Sequence, residues 1–132
     1  LGIPYAEPPV NDLRWKAPRP ARPWTSRRET LEFGSQCTQL PVQATATDLP
    51  IGSEDCLSIN VWAPSYHPDF VPTGNDRRPV MVWIRGGGNV MGGTNDPIDD
   101  GALFAGEYQL ARVSFNYRLG PMGWFRHDVL RE

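Results

Sequence analysis

Leu57-Ser58-Ile59-Asn60-Val61 alternates apolar and polar positions, and Trp62 extends it before Pro64 closes the segment. Period two is the signature of a strand with one covered face, so a half-buried strand is predicted here. Pro79-Val80-Met81-Val82-Trp83-Ile84 is an uninterrupted apolar run stopped by glycines. Such a run predicts a central strand buried on both faces. Leu110 to Tyr117 predicts a third strand. Between the last two lie a glycine-rich loop and a short helix near Gly101 to Glu107, with Asp99 or Asp100 as its N-cap. Strand, loop, short connection, strand predicts an α/β sheet. The first 25 residues hold six prolines and predict extended, irregular chain that wraps a surface. Two polar stretches, Phe33 to Glu54 and Ser65 to Arg78, read as loops. No internal repeat, low-complexity tract or domain boundary is visible.

Composition narrows the picture only at a few points. The 132 residues suffice for one domain but are few for a complete doubly wound fold. Fourteen prolines and thirteen glycines favour turns over long helices. A net charge of −2 gives no footing for a nucleic-acid or anionic-membrane partner. No apolar run reaches the length of a membrane span. Leu1-Gly2-Ile3-Pro4 reads like the middle of something, so any targeting segment is expected to lie outside these residues. Cys37 and Cys56, the only cysteines, bracket the first polar loop. They fit either a disulfide of an oxidising compartment or two separate thiols. If closed, a loop of this size contributes about 3 kcal/mol on the chain-entropy account.

The chemistry concentrates in Arg85-Gly86-Gly87-Gly88-Asn89-Val90-Met91-Gly92-Gly93, directly after the apolar run. Glycines let backbone approach a ligand closely and take up positive φ. Successive N–H groups in such a loop hold negative charge. Phosphate binding is one use of that arrangement, but Gly93 stands where a P-loop requires Lys, and Met91 stands where a dinucleotide fingerprint requires its third glycine. The other use is an oxyanion hole, in which backbone donors meet the charge developing on a tetrahedral intermediate. The plainer alternative is a tight turn and nothing more.

Further blocks accompany the loop. Gly2-Ile3-Pro4-Tyr5-Ala6-Glu7-Pro8-Pro9, Leu13-Arg14-Trp15-Lys16-Ala17-Pro18, Glu54-Asp55-Cys56-Leu57-Ser58-Ile59-Asn60-Val61 and Phe115-Asn116-Tyr117-Arg118-Leu119-Gly120-Pro121-Met122-Gly123 occur in order around it. Together the five blocks resemble the type-B carboxylesterase/cholinesterase family. The resemblance implies an α/β-hydrolase fold, here its N-terminal strands in a mixed, mostly parallel sheet, with residues 1–132 as one portion of a domain truncated at both ends. It implies a serine carboxylic-ester hydrolase with a small-molecule ester substrate, no cofactor and no metal, and an extracellular location. It pairs Cys37 with Cys56 as a disulfide and Arg14 with Glu54 as a buried ion pair. It assigns Gly87 and Gly88 as oxyanion donors, with Gly86 shaping the turn before them. Arg118 resembles a structural arginine whose acidic partner lies further along the family chain.

The departures are informative. The family's nucleophile elbow is Gly-x-Ser-x-Gly, and none of the six serines (Ser26, Ser35, Ser53, Ser58, Ser65, Ser114) lies in such a pattern. The catalytic serine, acid and histidine are therefore expected outside these residues, together with the third oxyanion donor, and the isolated segment is expected to be inactive. His67 and His127 match no triad position and read as surface residues. Arg85 stands where the loop usually has His, and Asn89 where it has an aromatic or aliphatic residue. No Trp lies between Cys37 and Cys56, which argues against a choline ester, since cholinesterases bind choline through a cation–π contact there. The alternatives are a non-catalytic binding or adhesion protein that kept the fold, in which direction Arg85 and Asn89 point, and a partial gene product whose Val80 to Ile84 would expose an apolar edge.

Overall fold

The computed structural model describes residues 1–75 and 77–131. Its one sheet is built from β1 (Ile3–Pro4), β2 (Ser58–Trp62), β3 (Val80–Trp83) and β4 (Ala111–Phe115), in the spatial order β1-β2-β4-β3. β2 pairs antiparallel with both β1 and β4, while β3 pairs parallel with β4. A parallel pair needs a crossover rather than a hairpin. Residues 84–110 supply it with the glycine loop, a 3₁₀ turn at Pro97–Asp99 and the single-turn helix α1 (Ala102–Gly106). Gly101, rather than Asp99 or Asp100, is the N-cap and makes no side-chain cap bond; Asp100 Oδ1, one residue earlier, accepts from the Ala102 N–H at 2.8 Å, and Asp99 is used elsewhere. Gly101 precedes the helix because an added Cβ would lie 2.7 Å from the Trp62 ring, which packs against it. A second short helix, α2 (Gly120–Trp124), follows β4.

The strands lie where the apolar patterns predicted them, but their covering is different. Strand pairing sets Asn60 opposite Ser114 and Trp62 opposite Arg112, with Met81 beside Arg112 on the same face. Asn60, Ser114 and Arg112 are buried. The opposite face carries Val61 beside Val113, and Val82 beside Val113 on the other side. It stays open: Val80 is 60% exposed, Val82 58% and Ile84 64%. Within the described residues β3 is an edge strand rather than the doubly buried central strand its apolar run predicts, and it exposes the apolar edge expected of the segment taken alone. β2 is half-buried as expected, and it is its polar side that faces inward.

The reason is in the loops that cover the sheet. Asn60 Nδ2 donates to Thr94 Oγ1 at 2.8 Å, and the Gly2 N–H donates to Asn60 Oδ1 at 2.8 Å. Asn116 Oδ1 accepts from both the N–H and the hydroxyl of Thr94, while its amide donates to the Ser35 carbonyl. Buried polar groups are stable when partners are supplied, and these segments supply them. The apolar core is small: Ala6, Cys37, Cys56, Leu57 and Leu119, with Tyr117 packed against it. Cys37 and Cys56 form a disulfide at its centre. The N-terminal wrap is extended as expected and is tied down by Tyr5 N–H to the Leu57 carbonyl and Trp15 Nε1 to the Pro121 carbonyl.

Candidate functional site

The glycine loop leaves β3 and is fixed at each stage by a different neighbour. Its first carbonyl, that of Arg85, accepts from the Tyr117 hydroxyl at 2.5 Å. The chain then turns through positive φ at Gly87 (135°), Gly88 (62°) and Asn89 (63°). A side chain at Gly87 is excluded, since its Cβ would lie 1.9 Å from the Met91 carbonyl oxygen. At Gly86 a Cβ would meet nothing within 4 Å, so the turn is carried by the residues after it rather than by Gly86. The Gly87 carbonyl accepts from Val90 N–H at 3.1 Å and Met91 N–H at 3.2 Å. The Asn89 carbonyl accepts from the Gly120 N–H at 2.7 Å and so ties the loop to the start of α2. The N–H groups of Gly87 and Gly88 donate to nothing among the described residues. Two adjacent uncommitted backbone donors in a glycine turn are the arrangement that stabilises negative charge.

Arg85 is not loose in the position where the pattern has His. Its Nη2 lies 3.1 Å from Asp96 Oδ2 and its Nη1 lies 3.3 Å from Asp99 Oδ2. The contact to Asp99 Oδ2 is ionic rather than an aligned hydrogen bond. The fully buried Asp99 also accepts from Trp83 Nε1 at 2.6 Å, and its carbonyl accepts from Arg112 Nη1. Arg112 sits among the rings of Trp62, Trp83 and Phe104, at 5.3–5.8 Å from their centroids. Two arginines and two aspartates thus balance beneath the loop, which is what burial of charge requires.

An apolar cavity of about 560 Å³ lies beside the loop. Val90 and Met91 line one side of it, and Leu40, Pro41, Pro50 and Met122 line others. The segment closed by the Cys37–Cys56 disulfide therefore forms a wall of the site.

The other expected residues fall as follows. Arg14 Nε and Nη2 donate to the two Glu54 carboxylate oxygens at 2.6 and 2.7 Å, a bidentate pair. The hydrogen bonds that Arg14 donates to Glu54, and then the Glu54 charge, raise the Arg14 pKa above its ordinary value. The pair is partly rather than fully buried, with 37% of the Arg14 side chain accessible. Arg118 Nη2 donates to the Lys16 carbonyl at 3.0 Å, and Arg118 Nη1 is buried with no hydrogen-bond partner among the described residues. His67 and His127 are exposed and remote from the loop, each accepting a local N–H at its Nδ1. Among the described residues no cluster of His, Cys, Asp and Glu could hold a metal, and no helix is long and apolar enough to cross a membrane.

Three participants were not visible in sequence. Thr94 bridges Asn60 and Asn116 just after the loop. Asp99 reads as a helix cap but serves the arginines. Gln39 holds Gly92, and its only sequence signal is a polar amide two residues after Cys37.

The Carboxylesterase family model matches residues 1–130. Phenmedipham hydrolase of Pseudarthrobacter oxydans is 42% identical over 129 residues, which are 93% of this chain and 24% of that protein. Para-nitrobenzyl esterase of Bacillus subtilis (strain 168) is 42% identical over 133 residues, 99% of this chain and 26% of that protein. A solved structure titled PNB esterase superposes with a TM-score of 0.77 at 40% identity, over 97% of this chain and 24% of that one. The chain thus spans about a quarter of the length of these relatives.

Proposed function

Because the chain belongs to the carboxylesterase family, we propose that the whole protein is a serine carboxylic-ester hydrolase and that this segment contributes its oxyanion loop. The observation that carries the proposal is the pair of uncommitted N–H donors at Gly87 and Gly88, held in a turn that only glycine fits at Gly87. In this reading a serine outside residues 1–132 attacks the ester carbonyl. A histidine, itself oriented by an acid, takes the serine proton, and an acyl-enzyme forms. The Gly87 and Gly88 donors meet the oxyanion, whose stabilisation is worth roughly 10²–10³ in rate per donor. The apolar cavity beside Val90 and Met91 fits an uncharged substrate. The disulfide fits an oxidising, extracellular compartment.

The relatives named for ester hydrolysis favour this reading over a binding protein with a lost triad. The full-length protein should turn over p-nitrophenyl acetate and lose that activity to a serine-directed phosphonate. Residues 1–132 alone should show no turnover. A full-length protein that neither cleaves the ester nor reacts with the phosphonate supports the binding-protein reading instead.

A further inference from the structure

Gly92 closes the glycine loop at a φ of 113°, a conformation that leaves its amide and carbonyl away from any regular ladder. Both groups are nevertheless satisfied by one side chain. Gln39 Oε1 accepts from the Gly92 N–H at 2.7 Å, and Gln39 Nε2 donates to the Gly92 carbonyl at 2.9 Å. The carboxamide acts as a strand partner one residue long, and it comes from 53 residues away in sequence.

Gln39 is itself held firmly. Its backbone N–H and carbonyl both pair with Ile51 across the disulfide-closed segment, at 3.1 and 2.8 Å. The same Nε2 also donates to the Cys37 carbonyl at 3.0 Å, next to the disulfide. The side chain therefore starts from a pinned backbone and reaches a glycine that has no side chain of its own to anchor it. Three residues separate Gly92 from Gly88, and among the described residues their hydrogen-bond ties are to the Gly87 carbonyl and the Gly120 N–H. Without Gln39 the far limb of the turn is anchored only from Thr94 onward.

We infer that Gln39 is a positioning residue for the glycine loop, setting where the Gly87 and Gly88 donors stand relative to the reacting carbonyl. The inference rests on the reading of that loop as the oxyanion hole. Gln39 touches neither donor. It acts through Gly92, and it makes the disulfide-closed segment a part of the catalytic frame as well as a wall of the cavity. A misplacement of about 1 Å in such a frame costs up to roughly 10²-fold in rate.

The test uses the full-length protein with Gln39→Ala and Gln39→Met, the second keeping the side chain's length without its hydrogen bonds. Active sites are counted by phosphonate titration, and kcat and KM are measured for p-nitrophenyl acetate per titrated site. Affinity is also measured for a trifluoromethyl ketone, whose hemiketal oxygen occupies the oxyanion position. Positioning predicts a kcat lower by about 10- to 100-fold in both variants, KM within about twofold, and ketone affinity reduced by the same factor as kcat. If Gln39→Ala yields no titratable sites, Gln39→Met carries the comparison. A purely structural role predicts fewer titratable sites or a lower melting temperature with kcat per site and ketone affinity unchanged, and that result overturns the inference while leaving the esterase reading intact. Absence of turnover in the unsubstituted protein overturns both.

Discussion

Within residues 1–131 the two faces of the sheet invert the usual arrangement. One face presents Asn60, Ser114 and Arg112 and is buried; the other presents Val61, Val80 and Val82 and is open to solvent. The buried face is stabilised by partners for most of its polar groups, Thr94 and Asn116 at one end and Asp99 and Arg85 at the other, while Ser58 Oγ and Arg112 Nε have no hydrogen-bond partner among the described residues. The open face has no such cover among the described residues, apart from Tyr5 and Tyr117 over Phe115. Burial here follows the supply of covering chain rather than side-chain hydropathy. The loops that cover the polar face are also the ones that carry the glycine turn, so the polar contacts of that face form the frame of the candidate site.

The comparison breaks most sharply at Asp99. It is the one carboxylate that meets both Arg85 and Arg112. Asp99→Ala leaves a buried arginine cation without its counter-charge, and a loss of about 3–5 kcal/mol is expected from chemical denaturation of the full-length protein. A variant within 1 kcal/mol of the parent, a margin roughly that of an exposed pair, would mean that solvent reaches the polar face. Thr94→Val is the next strongest test. It keeps the shape but removes the hydroxyl that accepts from Asn60 and donates to Asn116. Asn116 Oδ1 keeps the Thr94 N–H, but Asn60 Nδ2 is left with only its 3.4 Å contact to Ser114 Oγ, and a loss of about 1–3 kcal/mol is expected. Thr94→Ser, which retains the hydroxyl, should recover most of that.

These results also separate what the sequence made legible from what it did not. The apolar patterns placed β2, β3 and β4 within a residue or two, because period and run length depend on neighbours in the chain. They could not say which face is covered. Alternation at Leu57 to Val61 shows that Ser58 and Asn60 share a face, and the inference that polar means wet fails when Thr94, Asn116 and Ser35 arrive from elsewhere. The loop was legible as a run of glycines after a strand, and its family resemblance supplied the pairing of Cys37 with Cys56. Gln39 and Asp99 were illegible as parts of the site for a common reason. Each acts through a tertiary contact that no local pattern encodes, and each has a commonplace local reading as a loop amide or a helix cap.

The open face gives a smaller and more discriminating test. Val82→Thr keeps the β-branched shape and adds one hydroxyl. In residues 1–132 alone Val82 is exposed, so the change should stay within about 0.5 kcal/mol and should slow association through the apolar edge. If the rest of the protein covers that face, the same substitution buries an unpaired hydroxyl and costs about 1–2 kcal/mol in the full-length protein. Equal and negligible effects in both contexts would mean that this face remains solvated throughout.

The smallest expected effect is the most local, where Tyr5 of the N-terminal wrap packs on Phe115 of the open face. Tyr5 stands edge-on to Phe115 at 6.4 Å, and its hydroxyl donates to the Asn116 carbonyl at 2.7 Å. Burial raises its pKa above the ordinary 10.0, with the Arg118 charge opposing that rise. A group whose pKa is raised on folding contributes stability that is fully present below its unfolded value and is lost as pH climbs through the folded one. The parent should therefore lose stability above pH 10.0 more steeply than Tyr5→Phe, which has no proton to release there. The readout is the urea midpoint followed from pH 9 to about pH 11, a window that spans the ordinary tyrosine value. Parallel curves would mean that the wrap leaves Tyr5 wet, and that the apolar face is open even where the chain itself crosses it.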